Sequence, residues 1–297
     1  MQPPFPCPTA TWRNDTYDAI SPSRPELSVA GKTVVIIGTG TGSGIGRETA
    51  RAFAAAGAAH VALLGRTEAS LVETASLLPA SAHNSVHVAD VTKLETLEAA
   101  AAAIGLWHVV VLASGYCPKP NPVSGSDAEE WQKGYQVIVL GTALTAKAFL
   151  PTVRGAAFLG ITSDTSLLPP TYLPGLAAYV SIKLAQAKVY EFLAAENPDV
   201  FVATVHPGMI DTNNFRATGA SPDGLPMDTA MSANSSKRTA YCFTRYRLPN
   251  LWTHSPRRHA PSFDSGSISG QQYLPSTPTF LPATDAASAQ SVLGTNI

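Results

Sequence analysis

Six short runs rich in β-branched and aliphatic residues, "TVVIIG", "HVALLG", "SVHVAD", "HVVVLAS", "GAAFLGITS" and "VFVATVHPG", alternate with Ala-rich segments between Thr33 and Gly208. Within a run the apolar residues are consecutive rather than alternate, so both faces of each strand must be buried. The intervening segments, 46–56, 68–78, 93–103, 127–149 and 179–195, carry the composition of helices. Strands covered on both sides and separated by helices specify a doubly wound parallel α/β sheet. In such a sheet a ligand binds beyond the carboxyl ends of the strands, so functional residues are expected just after each run.

The flanks differ from this pattern. Residues 1–30 are rich in Pro, Ser and Thr without periodicity and read as an extension, whereas 31–230 form the single α/β domain. From 231 to 297 the chain is again dense in Ser, Thr and Pro, and little regular structure is expected there. The formal net charge of −1 and the lack of a Lys/Arg run give no footprint for nucleic acid or anionic membrane. No apolar stretch is long enough to span a bilayer, and the three separated cysteines argue against a disulfide framework or a structural zinc site. These features describe a soluble, cytoplasmic protein that acts on a small molecule.

The most informative turn is "VVIIGTGTGSGIGRETARAFAAAG", a strand, then glycines, then a helix beginning near Ile45. Glycines there let the backbone approach a pyrophosphate, and the helix N-terminus supplies free N–H groups and partial positive charge. Position in the first βαβ unit is what separates this reading from a plain flexible turn. Gly40, Gly44 and Gly46 fit the spacing, with Ser43 and Ile45 between them, although Gly38 competes with Gly40 for the first position.

Further along, "YVSIK" puts Tyr179 one helical turn before Lys183. With the glycine turn, Asp90 in "AD", "ASG" at 113–115, "ITS" at 161–163 and "HPGMIDT" at 206–212, the chain resembles the short-chain dehydrogenase/reductase family in its filamentous-fungal form. That resemblance covers roughly residues 27–230 and implies a Rossmann fold, a nicotinamide cofactor and an exchange of hydride with a carbonyl compound or secondary alcohol. By the same resemblance Tyr179 is the proton donor or acceptor, Lys183 binds the nicotinamide ribose, and Ser163 orients the substrate oxygen. A free phenol titrates near ~10, so proton transfer at neutral pH needs positive charge beside it, which Lys183 can supply with the oxidised nicotinamide. Ser163 stands 16 residues before Tyr179 and Ser166 stands 13 before, closer to the usual spacing. Ser163 is preferred because "ITS" ends a strand and "LLPPTYLPG" reads as a lengthened loop.

Cofactor choice is read at the end of the second run. Gly65 followed by Arg66 leaves room and charge for a 2′-phosphate where an acidic residue would grip the ribose of NAD, so NADP is expected over NAD. The resemblance also implies that Asp90 meets the adenine and that Ile210 and Thr212 border the nicotinamide; capping of the next helix is the competing role for Asp90. Cys117 reads as an ordinary thiol with no activating neighbour, and no metal site is expected.

Three departures from the family pattern stand out. Ile138 occupies the place of an asparagine that helps hold a relay water, so the proton is expected to need another route and turnover to be slower. Leu112, Ala113, Ser114 and Gly115 replace the usual asparagine pair after the fourth strand. The region after 230 lacks the pattern of a further helix and strand that close the sheet and supply much of a homo-oligomer interface. The competing reading is therefore a catalytically impaired dinucleotide-binding scaffold or sensor. A place in secondary-metabolite biosynthesis is implied only by the fungal resemblance.

Overall fold

In a computed structural model, residues 17–18, 21–40, 44–150, 155–216 and 219 are described. Six strands form one parallel sheet: β1 (Thr33–Ile37), β2 (His60–Gly65), β3 (His83–Val88), β4 (Val109–Leu112), β5 (Ala157–Ile161) and β6 (Phe201–Val205). Their order is β3-β2-β1-β4-β5-β6, so the chain starts in the middle, winds to one edge, returns and winds to the other. The reversal lies between β1 and β4, where Val34 pairs with Val109 and Ile37 with Leu112. A doubly wound sheet opens its ligand crevice at such a reversal.

Consecutive apolar residues do what their pattern requires. Val34 and Ile36 face one core with Ala50 and Phe53 of α1 (Ile45–Ala55) and Leu71 of α2 (Glu68–Ser76). Val35 and Ile37 face the other, with Leu97 of α3 (Leu94–Ile104), Phe149 of α5 (Gly141–Phe149) and Tyr190 of α6 (Ala177–Glu196). Val34, Val35, Ile36, Val109, Val110 and Val111 are all at 0% exposure, which is the burial of a sheet covered twice.

The expected helix over 127–149 is interrupted. It runs as α4 (Ala128–Tyr135), a π-helical turn over Gln136–Leu140, and then α5. A π turn takes in one extra residue, which a 3.6-residue hydrophobic period does not resolve. The loop "LLPPTYLPG" contains short 3-10 turns at Asp164–Leu167 and Pro170–Tyr172, and a final short helix, α7, covers Asn213–Arg216. Leu27 and Val29, inside the stretch expected as an extension, are 8% and 2% exposed, and Val29 N–H donates to the Ala56 carbonyl at 3.0 Å. Most of 1–30, the stretch 217–230 apart from Gly219, and the whole expected tail at 231–297 lie outside the described residues. Among the described residues β6 ends the sheet, and all of its residues but Val205 are partly exposed.

Histidines tie the strands together in neutral form. His108 Nδ1 accepts the Thr33 N–H at 3.0 Å, linking β4 to β1. His60 Nε2 and His87 Nε2 each lie 2.8 Å from the Ser85 hydroxyl. Burial lowers the pKa of all three, helped at His60 by His83 and His87 and at His108 by Lys32. A histidine held below its unfolded value of about 6.5 contributes stability that is present above that pH and lost as pH falls through the folded values. Thermal unfolding is therefore expected to shift downward between pH 6.5 and 5 through these histidines. His108→Gln, which keeps an acceptor without titrating, should shrink that fall; a melting temperature that rises on acidification would contradict the account.

Candidate active site

The glycine turn follows β1 and is shaped by close backbone contacts. Gly38 has φ +102°, and a Cβ built on it would lie 2.5 Å from the Ser114 nitrogen, at the end of β4. A Cβ on Gly46 would lie 2.5 Å from the Gly38 carbonyl oxygen, so the first turn of α1 rests directly on the strand end. Gly40 abuts β2 more loosely, its Cβ position 3.5 Å from the Arg66 nitrogen. Gly38 is thus the position where only glycine fits, a role the sequence left open between Gly38 and Gly40. The signal is the Ser114 backbone on a strand 70 or more residues away, which spacing along the turn does not contain.

Gly44 stands at the N-cap of α1 without a side-chain cap, and the helix opens at Ile45. Side-chain-free backbone before an uncapped helix N-terminus is the cradle that a pyrophosphate requires, so these residues fit a dinucleotide. Ser43, expected in this turn, lies outside the described residues. Gly65 completes the wall: its Cβ position is 3.1 Å from the Gly40 nitrogen, which makes any larger residue there crowd the turn. Arg66 is exposed beside it.

Asp90 follows β3 and makes an Asx turn, its Oδ1 accepting from the Thr92 N–H at 2.9 Å and the Thr92 hydroxyl at 2.8 Å. Burial pushes its carboxyl upward, but Thr92, then Arg66 and Lys93, hold it below the ordinary carboxylate range. The N-cap of α3 is Lys93, so capping that helix is not the task of Asp90. At the far side, Ile210 is buried, and the Thr212 hydroxyl accepts the Phe215 N–H at 3.1 Å, capping α7.

Between these walls the structure brings Ser163, Tyr179 and Lys183 together. Ser163 lies two residues beyond β5, 7% exposed, and its hydroxyl is near enough to the Tyr179 phenol to pull that phenol's pKa down. It also lies 2.9 Å from the Thr165 hydroxyl. Ser166 instead donates to the Ser163 carbonyl at 3.1 Å. Tyr179 sits in the first turn of α6, and Lys183, one turn on, is 4% exposed with its Nζ donating to the Ile161 carbonyl at 2.8 Å.

Lys183 and the oxidised nicotinamide together are the expected source of charge for the phenol; among the protein's own groups burial has the largest hold on it. Burial pushes Tyr179 up to about 12, the Cys117 thiol adds to the rise, and the Ser163 hydroxyl opposes it. Burial likewise pushes Lys183 down to about 8. The Lys183 ammonium donates to the Ile161 carbonyl at 2.8 Å and to Gln186 Oε1 at 3.0 Å. Protein groups alone leave the tyrosine protonated, poised to donate, and added positive charge in the cleft is what would ease its ionisation.

Cys117 is nearer this centre than its sequence neighbours suggest. It senses both Lys183 and Glu130, yet burial outweighs the lysine and pushes its thiol up to about 11, which keeps it unreactive. Ile138 is 1% exposed and packs with Val139 and Ile182, so an aliphatic cluster fills the space where an amide was expected by family pattern. Among the described residues no His/Cys/Asp/Glu group could hold a metal ion, and no helix is long and apolar enough to cross a membrane.

A family model described as short chain dehydrogenase matches residues 32–223. The short chain dehydrogenase pigC of Monascus ruber is 32% identical over 229 residues, covering 73% of this chain and 73% of that protein. Among solved structures, an alcohol dehydrogenase from the archaeon Thermococcus sibiricus, complexed with 5-hydroxy-NADP, is similar with a TM-score of 0.58 and 32% identity, covering 66% of this chain and 82% of that one. A short-chain type dehydrogenase/reductase from Mycobacterium ulcerans gives a TM-score of 0.59 at 27% identity, over 66% of this chain and 74% of that one. Sheet order, glycine turn and family match agree: the chain belongs to the short-chain dehydrogenase/reductase family of oxidoreductases.

Proposed function

We propose that this protein is an NADP-dependent reductase of a small carbonyl compound, or the dehydrogenase of the corresponding secondary alcohol. The observation that carries the reading is the buried Lys183, one helical turn after Tyr179, whose ammonium is held on the Ile161 carbonyl two residues before buried Ser163 at the carboxyl edge of the sheet. Tyr179 Oη gives its proton to the substrate oxygen in reduction and takes it back in oxidation, while Ser163 holds that oxygen in line. The nicotinamide supplies or accepts the hydride. Gly38, Gly40, Gly44, Ile45 and Gly46 receive the pyrophosphate, Asp90 the adenine, and Ile210 and Thr212 the nicotinamide end.

Support for NADP comes from Arg66, exposed at the turn beside Gly65, and the archaeal relative crystallised with 5-hydroxy-NADP is consistent with that choice. A charge-assisted hydrogen bond to a phosphate is worth roughly 1.5–3 kcal/mol, or about 10- to 100-fold in affinity. Arg66→Ala is therefore expected to raise the Kd for NADPH at least about tenfold and to leave that for NADH within about twofold, read by fluorescence titration. Equal weakening of both would remove Arg66 from the phosphate site. Widely spaced cysteines support a reducing, cytoplasmic setting, and the filamentous-fungal form of the family resemblance is the ground for including a place in secondary-metabolite biosynthesis in this proposal. A screen of carbonyl compounds for NADPH oxidation tests the reaction itself: tight cofactor binding with no turnover on any of them would favour the scaffold.

A further inference from the structure

A buried ammonium needs acceptors for its protons. Lys183 has two: the Ile161 carbonyl at 2.8 Å and Gln186 Oε1 at 3.0 Å. Gln186 is itself 1% exposed, on the face of α6 that otherwise buries Ala178, Ile182 and Tyr190. An amide there without partners would cost about 1–3 kcal/mol. Its Nε2 donates to Thr142 Oγ1 at 3.1 Å, and Thr142, 0% exposed, donates to the Ile138 carbonyl at 2.6 Å. The Tyr190 hydroxyl faces Thr142 without a well-formed hydrogen bond.

This line has a direction. The Thr142 proton is committed to the π-turn carbonyl, so its lone pair must accept, and the Gln186 N–H must point to it. The amide oxygen is thereby fixed toward Lys183; the flipped amide would set N–H against ammonium. We propose that Gln186, held by Thr142, is the positioning residue of Lys183: it fixes the ammonium against the end of β5 and leaves one of its three N–H groups for the cleft. The proposal rests on the reading of Lys183 as the charged helper of Tyr179. It also accounts for how support reaches the lysine from within the core, by way of the Ile138 carbonyl, when the aliphatic Ile138 side chain offers none. The demand is real, since burial already holds Lys183 at about 8.

The test is the titration of Lys183 in the full chain, followed by NMR with lysine labelled at Cε and assigned by loss of its signal in Lys183→Arg. Gln186→Leu is expected to lower the midpoint by about one pH unit or more, because an acceptor is lost. Gln186→Glu should raise it. Thr142→Val, which removes the anchoring hydroxyl at nearly constant volume, should shift it part of the way down. If Gln186→Leu does not fold, the other two variants carry the test. A midpoint in Thr142→Val and in the folded Gln186 variants indistinguishable from wild type overturns the proposal. Turnover of Tyr179→Phe, measured alongside, separates the two ideas: a shifted Lys183 with turnover indifferent to that change refutes the catalytic reading alone, and an unshifted Lys183 with turnover lost refutes the strut alone.

Discussion

Tyr179→Phe is expected to cut turnover of a carbonyl substrate with NADPH by about 10³-fold, within the 10²- to 10⁴-fold that a positioned proton donor contributes. The substitution keeps the ring in the first turn of α6 and removes only the hydroxyl that meets Ser163. Cofactor affinity should therefore stay within about twofold, since no phosphate contact is touched. The phenol is held at about 12, so it is protonated throughout the neutral range, and reduction should not depend on its titration below pH 8. Turnover within about tenfold of wild type would show that another group moves the proton.

The largest expected effect on stability is at Gly38→Ala. Two costs combine: a positive φ, worth roughly 1–2 kcal/mol for a residue with a Cβ, and an overpacked contact, worth roughly 1–3 kcal/mol. The contact is with backbone, 2.5 Å from the Ser114 nitrogen and 2.7 Å from the Ala113 carbonyl carbon, so no rotamer change relieves it. For a domain of this size each kcal/mol lowers Tm by about 2–4 °C, which gives a fall on the order of 10 °C. Gly31→Ala is the control: its φ is +75° but nothing lies within 4 Å of its Cβ position, so only the first cost applies. Equal falls for the two variants would show that the approach of β1 to β4 contributes nothing.

Sequence and structure agree where the information is local. Strand runs such as "TVVIIG" were readable because consecutive burial leaves consecutive apolar residues, and Tyr179/Lys183 because one helical turn fixes their relation. Long-range facts were not readable. That Gly38 rather than Gly40 meets β4 depends on Ser114, and that Cys117 approaches Lys183 depends on how the loop after β4 folds back. The π turn at Gln136–Leu140 escaped because one extra residue in a helix leaves the apolar face nearly unchanged. Gln186 looked like any polar residue on a long helix, and its meaning came only with Thr142, 44 positions away. Ser163 over Ser166 rests on an argument about strand ends, and Ser166 turns its hydroxyl to the Ser163 carbonyl.

The sheet order also sets a timetable for the nascent chain. β1 sits between β2 and β4, and the bond from Thr33 to His108 joins positions 75 apart. At ~5–20 residues per second of synthesis, β1 and β2 can pair roughly 2–9 s before β4 emerges. During that interval Val34, Val35 and Ile36, all sealed in the finished protein, present one open strand edge to whatever else is in reach. The central strand of the native sheet is thus a temporary border strand on the ribosome, and that is the period in which this chain has most need of a chaperone.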